Sequence, residues 1–439
     1  MTDCARRRSV RRLVGAFAVI SLLCLPTARS ATAQQAGQRS DAELVELIAA
    51  GQIDEARALF ATTAPDEADW LFFDGRLAKA EGHLDDAIKL FREVLRLNPE
   101  HLSARRELGH TLLQVADYWA SAYHFRDLLR RDPMPHYRQG YVHFLNEIDR
   151  LRPFVLRGRL AIVSSSNVNR GSSESVFNPG VPDVPSFNIT SRAEAGYGLE
   201  LGISGQNRWT SDGRRRITFD WGLLGHKYVK PTYDRATLTA RLQVGTLSEK
   251  TQWSMGPFVR ASWAADGRNN SAIGLAASFD RRVTKQTIMF ISAAAEYRYF
   301  PNSTAHDGPL FSLQTGLAHL VAKGDLSVGT RLTFNRPERE HQQYDGRALF
   351  ARFSRSWSGG FQGGLGVEIG QREYGATFPL LDDARADEFF QVSFSAQHHN
   401  FRFGQYSPVL SCIFGTTQSN AAFFDHDVTE CTVGVTTRF

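Results

Sequence analysis

Beyond residue 33 this sequence has no apolar run of about 18 residues, so no transmembrane helix is predicted there. It lacks His-Glu-x-x-His, Gly-x-Ser-x-Gly and a P-loop, which removes the usual signatures of zinc hydrolysis, serine acyl transfer and nucleotide binding. Gly364-Leu365-Gly366 with Gly370 has the wrong spacing for a dinucleotide loop and no following helix. His398-His399 falls in a predicted turn with no carboxylate close by, and His110 and His124 have no second ligand at a helical metal spacing. No catalytic, cofactor-binding or metal residue is nominated, and the chain is not expected to be an enzyme. Cysteine is scarce: Cys4, Cys24, Cys412 and Cys431 are the whole supply.

Residues 1–33 have the three parts of a secretory signal. Arg6, Arg7, Arg8, Arg11 and Arg12 form a basic start, and Leu13 to Leu25 is apolar but too short to span a bilayer. Ala31-Thr32-Ala33 offers small residues for cleavage before Gln34. A lipid anchor on Cys24 is the alternative, but Leu22-Leu23 fits poorly the small residue wanted ahead of such a cysteine. Removing six arginines and Asp3 with this segment takes 51 basic and 46 acidic residues to 45 of each. The remaining chain is formally neutral, so the pI near 9.0 does not point to nucleic acid. Cys412 and Cys431 then remain, enough for one disulfide in an exported protein.

Composition divides the rest near residue 150. The first part, 34–150, carries a repeat: Gly75 and Gly109, Phe91 and Phe125, and Pro99 and Pro133 are each 34 apart. That is the period of tetratricopeptide helix pairs, in which small residues let two helices approach and a bulky one fills the gap. Gly51, Ala56 and Phe60 mark a degenerate earlier unit. The repeat frame, started at Ala68 and Leu102, places Phe72, Arg76, Lys79, Arg106, His110 and Gln114 on a concave face. They form either a peptide-docking groove or an ordinary solvated face.

From about Arg157 the apolar period changes from 3.6 to 2. Ala193, Ala195, Tyr197, Leu199, Leu201 and Ile203 alternate with smaller or more polar residues, as do Ile217 to Leu223 and Ala236 to Val244. Tight turns at Ser211-Asp212-Gly213, Lys323-Gly324-Asp325 and Ser358-Gly359-Gly360 alternate with longer polar stretches near 170–189, 227–233, 335–345 and 374–387. Short turns on one side and long loops on the other are the pattern of a transmembrane β-barrel, here of about 14 strands over 151–439. A soluble β-sandwich is the rival. It would not need such loop asymmetry, nor the terminal Phe439 that the outer-membrane assembly machinery is thought to read. The expected fold is therefore α+β: N-terminal tetratricopeptide helices followed by an antiparallel barrel in outer-membrane lipid. Cys412 and Cys431 fall on the last two predicted strands, where a symmetric hairpin would oppose them. They are either bonded or reduced on the lipid face.

These features, with Ser166-Asn167-Val168-Asn169, Arg385 and Asp387, Gly404-Gln405-Tyr406-Ser407-Pro408, Ser419-Asn420 and Arg438-Phe439, resemble the surface lipoprotein assembly modifiers. In that family a periplasmic tetratricopeptide domain precedes a 14-stranded barrel, and the helical domain here is short by comparison. The resemblance implies a translocator that delivers client lipoproteins, or related secreted proteins, across the outer membrane. Two other readings are a porin for polysaccharide or small-solute export and a receptor or adhesin acting through its long loops.

Overall fold

The computed structural model describes residues 43, 44, 46–178, 185–211, 215–321, 324–379, 381, 383–398 and 406–437. The signal segment and Phe439 lie outside them, as do Asp212, Gly213, Lys323, His399, Gly404 and Gln405. The described residues up to Pro65 form one compact unit, with helix α1 at Ile53–Ala61. Everything from Asp66 onward forms a second.

The second unit opens with five helices: α2 (Glu67–Ala80), α3 (Leu84–Leu97), α4 (Leu102–Gln114), α5 (Tyr118–Arg131) and α6 (Pro135–Leu151). Their starts are written in the sequence. Asp66 and Asp69 make a reciprocal capping box on α2, Asp117 accepts from Ala120 N on α5, and Pro135 takes the first turn of α6. The 34-residue spacing becomes a repeated contact. A Cβ on Gly75 would meet the Phe91 ring at 2.7 Å, and one on Gly109 would meet Phe125 at 3.2 Å. Both rings are fully buried, each worth about 2 kcal/mol of apolar burial. Phe91 packs with Ala87, Ile88, Leu108 and Leu112, and Phe125 with Leu128, Tyr141, Leu145 and Ile148.

Strand structure begins at Phe154. β1 (Phe154–Ser165) is followed in the chain by a short hairpin, β2 (Val176–Phe177) with β3 (Phe187–Asn188). The remaining strands are β4 (Gly196–Ser211), β5 (Arg215–Tyr228), β6 (Arg235–Leu247), β7 (Thr251–Ala264), β8 (Asn270–Arg282), β9 (Thr287–Tyr299) and β10 (Gly308–Val321). They continue with β11 (Gly324–Asn335), β12 (Tyr344–Ser356), β13 (Phe361–Thr377), β14 (Ala384–His398), β15 (Tyr406–Ser419) and β16 (His426–Thr437). β1 and β4–β16 close into a barrel of 14 strands, every neighbour antiparallel. The closing ladder is the short one. Among the described residues β1 pairs β16 from Leu160↔Val435 to Ser165↔Glu430, six positions, against twelve with β4.

The period-2 pattern resolves into an outside and an inside. Leu156, Leu160 and Ile162 on β1 are 50–60% exposed, and Leu199, Leu201, Ile203, Ile217, Leu223, Leu238 and Leu242 continue the outward belt. Trp209 and Phe361 stand near the short turns, Tyr197, Trp263 and Tyr299 near the long loops. These are the two aromatic rims expected of a bilayer-spanning barrel. Cys412 shares its face of β15 with the exposed Leu410 and Phe414, opposite Cys431. The two are joined by a disulfide with Cα atoms 4.1 Å apart.

Boundaries differ from the sequence reading in several places: His398, expected in a turn, is the last residue of β14, and Gly324 and Asp325 open β11. Ala193 and Ala195 precede β4. The stretch 374–387 is mostly strand, β13 running to Thr377 and β14 starting at Ala384. Gly364 and Gly366 lie within β13. No helix among the described residues is long and apolar enough to cross a membrane.

Candidate functional site

The short turns mark the periplasmic end of the barrel, and α5 and α6 lie across that end. α5 finishes on Arg130 and Arg131, cations that suit a helix C-terminus. Both reach Asp325 at the start of β11, with Nη2–Oδ2 distances of 2.8 and 3.0 Å. Arg131 also holds Asp127 at 3.0 Å, and Arg105 approaches Asp127 from α4 at 3.2 Å. Burial pushes the Asp127 carboxyl up, but Arg105, Arg131 and Arg130 outweigh it and hold it at about 2.

α6 ends on a second contact. Asp149 is buried, accepts from Arg208 of β4 at 3.0 Å and lies 2.7 Å from Nη2 of Arg216 on β5. Arg216 also donates to Asn146 at 3.2 Å. Arg282, the last residue of β8, donates to the carbonyls of Leu129 and Arg130, and Gly359 N donates to Arg96 O at 2.8 Å. The guanidinium of Arg157 lies 4.5 Å from the Trp119 ring centroid, and Leu247 adds an apolar touch against the Phe125 cluster. Among the described residues, charges and hydrogen bonds thus fasten the helices to the mouth of the barrel, with Leu247 packed against the helical core.

Beneath α5 is a cavity of about 380 Å³ that opens into the lumen. Arg126, Arg208, Arg216 and Arg282 line it together with Asp220 and Asp280. Arg126 projects into this space from the helix. Removal from bulk water, then the nearby Arg208, lower its pKa, and it remains a cation at neutral pH.

The sequence-derived groove residues fall on two helices and meet a third. On α2, Phe72 meets the tilted ring of His101 at 4.9 Å between centroids, Arg76 lies over Phe72 at 5.8 Å, and Lys79 donates to Glu107 of α4 at 2.7 Å. On α4, Arg106 lies 4.2 Å over Tyr137 and 3.6 Å from Asp132. His110 packs 4.5 Å from Phe144 of α6. Gln114 is exposed at the end of α4. Burial lowers the pKa of both His101 and His110. The partners Glu107, Tyr137 and Phe144 were missed by the sequence reading. Continuing the 34-residue step from Arg76 through His110 would have reached Phe144.

At the opposite rim the dispersed motif residues come together. Asn167 is fully buried and bridges Gly171 O and Asp427 O at 2.9 and 3.1 Å. Asn169 bonds Arg192 O at 2.7 Å and Glu194 N at 3.0 Å. Asn420 bonds Ala384 O and Ala386 N across the loops, at 2.8 and 2.9 Å. Arg385 grips the buried Asp387 bidentately at 2.8 and 2.7 Å and lies over Phe424. Segments from both ends of the barrel sequence are locked here into one corner beside the closing seam.

A sequence model of the family described as surface lipoprotein assembly modifier matches residues 156–439, most of the chain. The chain belongs to that family. A surface lipoprotein assembly modifier of Pasteurella multocida strain Pm70 is 21% identical over 431 residues, covering 91% of this chain and 83% of that protein. Among solved structures, this family member is similar to the toluene transporter TodX of Pseudomonas putida, at 9% identity and a TM-score of 0.36 over 65% of this chain and 89% of that one. It is also similar to the outer membrane channel DcaP of Acinetobacter baumannii, at 8% identity and 0.37 over 64% and 96%. As an assembly-modifier barrel with an apolar belt, the protein sits in the outer membrane with its helices in the periplasm.

Proposed function

We propose that this protein delivers a surface lipoprotein, or a related secreted protein, across the outer membrane, and that its helices both receive the client and gate the barrel. The observation that carries the reading is the docking of α5 and α6 over the periplasmic mouth through Asp149, Asp325 and their arginines. A plug held by ion pairs can be displaced by a competing partner. Helices α2, α4 and α6 carry the row from Phe72 through His110 to Phe144 that a client would meet first. In this reading 1–33 is a signal peptide and 34–150 a periplasmic tetratricopeptide-type domain. Residues 151–439 are the barrel, which the assembly machinery inserts into outer-membrane lipid.

The test removes residues 41–150 while keeping the signal. The barrel should still assemble, because closure satisfies its own backbone hydrogen bonds, and client display at the cell surface should fall. Reversing the charges of Arg76, Lys79 and Arg106 should give a milder defect of the same kind. Unchanged display after the full deletion would reject the docking role.

A second reading, a porin for polysaccharide or small solutes, is favoured by one observation: the lumen is lined by charged side chains such as Arg159, Glu200, Arg331 and Glu368. If the deletion alters solute efflux and leaves every client in place, that reading replaces the first.

A further inference from the structure

The lumen is electrically asymmetric along its axis. Toward the extracellular side most of its arginines are matched by carboxylates, Arg260 with Glu296 at 2.7 Å, Arg331 with Glu368 at 2.6 Å and Arg372 with Asp387 at 3.7 Å, while Arg235 rests on Tyr228. Toward the periplasm Arg208 and Arg216 share Asp149, and a further set has no such partner. Among the described residues Arg126, Arg157, Arg241, Arg282 and Arg352 make no ion pair with a carboxylate. Arg157 lies over Trp119, Arg241 over Phe258 at 5.7 Å and Arg352 over Phe350 at 4.6 Å. Arg282 is bonded to carbonyls. Asp220, Glu249 and Asp280 are the carboxylates lining the neighbouring cavity, and Lys250 adds a further cation.

The four strand-borne arginines are spread around the ring, on its first, fourth, sixth and tenth strands, with Arg126 entering from α5. A 14-stranded barrel is too wide for one small anion to touch walls that far apart. Guanidinium groups resting on aromatic faces are held in place and keep their forked donors free for carboxylates.

We propose that this ring is a receptor site for an acidic, extended polypeptide segment, which Arg126 meets first as the segment enters from the periplasm. The idea rests on the client-delivery reading and adds a chemistry to it. Unmatched cations at the entrance attract a carboxylate-rich strand, and matched pairs farther out let it leave. A passage needs both properties.

The experiment uses the full chain in detergent and a fluorescent oligoglutamate, read by anisotropy. Binding should be saturable and weaken about tenfold when salt rises from about 0.1 M to about 0.5 M. Arg126→Glu should weaken it at least about tenfold, and Arg241→Gln by less. Arg268→Glu, an equal charge change in an extracellular loop, should leave it unchanged. Heat-modifiable migration checks that each variant is folded. Equal affinity of wild type and Arg126→Glu would overturn the proposal, as would equal binding of oligolysine. Polyphosphate that competes as well as oligoglutamate, charge for charge, would overturn the polypeptide assignment in favour of a general polyanion site. Client display in cells separates the two readings. If Arg126→Glu abolishes peptide binding and leaves display intact, the site stands and delivery through it fails.

Discussion

Arg216 on the third strand of the barrel ring holds its Nη2 2.7 Å from Oδ2 of Asp149, in the final turn of the last helix. Arg208 takes the other oxygen at 3.0 Å. One buried carboxylate thus neutralises two arginines of the lumen wall and ties α6 to it. Asp149→Asn would leave both arginines without a counter-ion, a loss of about 3–5 kcal/mol for a buried pair. The expected outcome is faster hydrogen exchange along α5 and α6 with exchange in the barrel strands unchanged. Equal exchange in α6 of both proteins would show that the contact does not hold the helices down.

Cys412 and Cys431 should resist alkylation until the protein is reduced. Cys412→Ser should lower the temperature at which the barrel loses its folded migration, consistent with about 3 kcal/mol for a loop of this length. A mass increase of two alkyl groups without reduction would refute the bond.

Gly75 and Gly109 occupy equivalent places with unequal room. Alanine gains about 1 kcal/mol of helix propensity over glycine. At 2.7 Å from Phe91, Gly75→Ala should lose more than that to crowding, of order 1–3 kcal/mol. At 3.2 Å from Phe125, Gly109→Ala should be close to neutral. Helical melting followed at 222 nm ranks the two, and the reverse order would contradict the packing.

The helices should be weakened by mild acid. Burial lowers the folded-state pKa of His101 and His110, so the unfolded chain binds their protons more tightly. Their contribution is fully present above about 6.5, the ordinary histidine value, and is lost as the pH falls through the lowered folded values. The helical transition should come at lower temperature at about pH 5.5 than at about pH 7.5. Replacing both histidines with Gln should flatten the difference.

Removing Phe439 should reduce assembled protein in the outer membrane without blocking export to the periplasm. Equal membrane levels would argue against a terminal assembly signal.

The barrel was legible in the sequence because lipid on one side makes the alternation of Leu199, Leu201 and Ile203 unambiguous. The helix pairs were legible because a close glycine–phenylalanine approach recurs at one spacing. The clasp was not. An inward arginine such as Arg208 or Arg216 looks like any polar residue of a strand, and its partner Asp149 belongs to a helix far away in the chain. The groove was read in part. Phe72, Arg106 and His110 stand in the repeat frame, but the frame loses its small residue in α6, where His143 takes the place of Gly75 and Gly109. Tyr137 and Phe144 were therefore passed over. The motif residues Asn167, Asn420 and Arg385 were noticed as patterns, while their meeting at one rim depends on strand order that no local stretch encodes.

The disulfide turns β15 and β16 into a single mechanical part. With Cys412 bonded to Cys431, the last strand cannot peel from the sheet alone, while among the described residues its ladder to β1 is half as long as the one on β1's other side. Were the wall ever to part along that seam, the moving piece would be a covalently stapled two-strand flap, hinged at β14 and buttressed at its outer corner by Asn167 and Asn420.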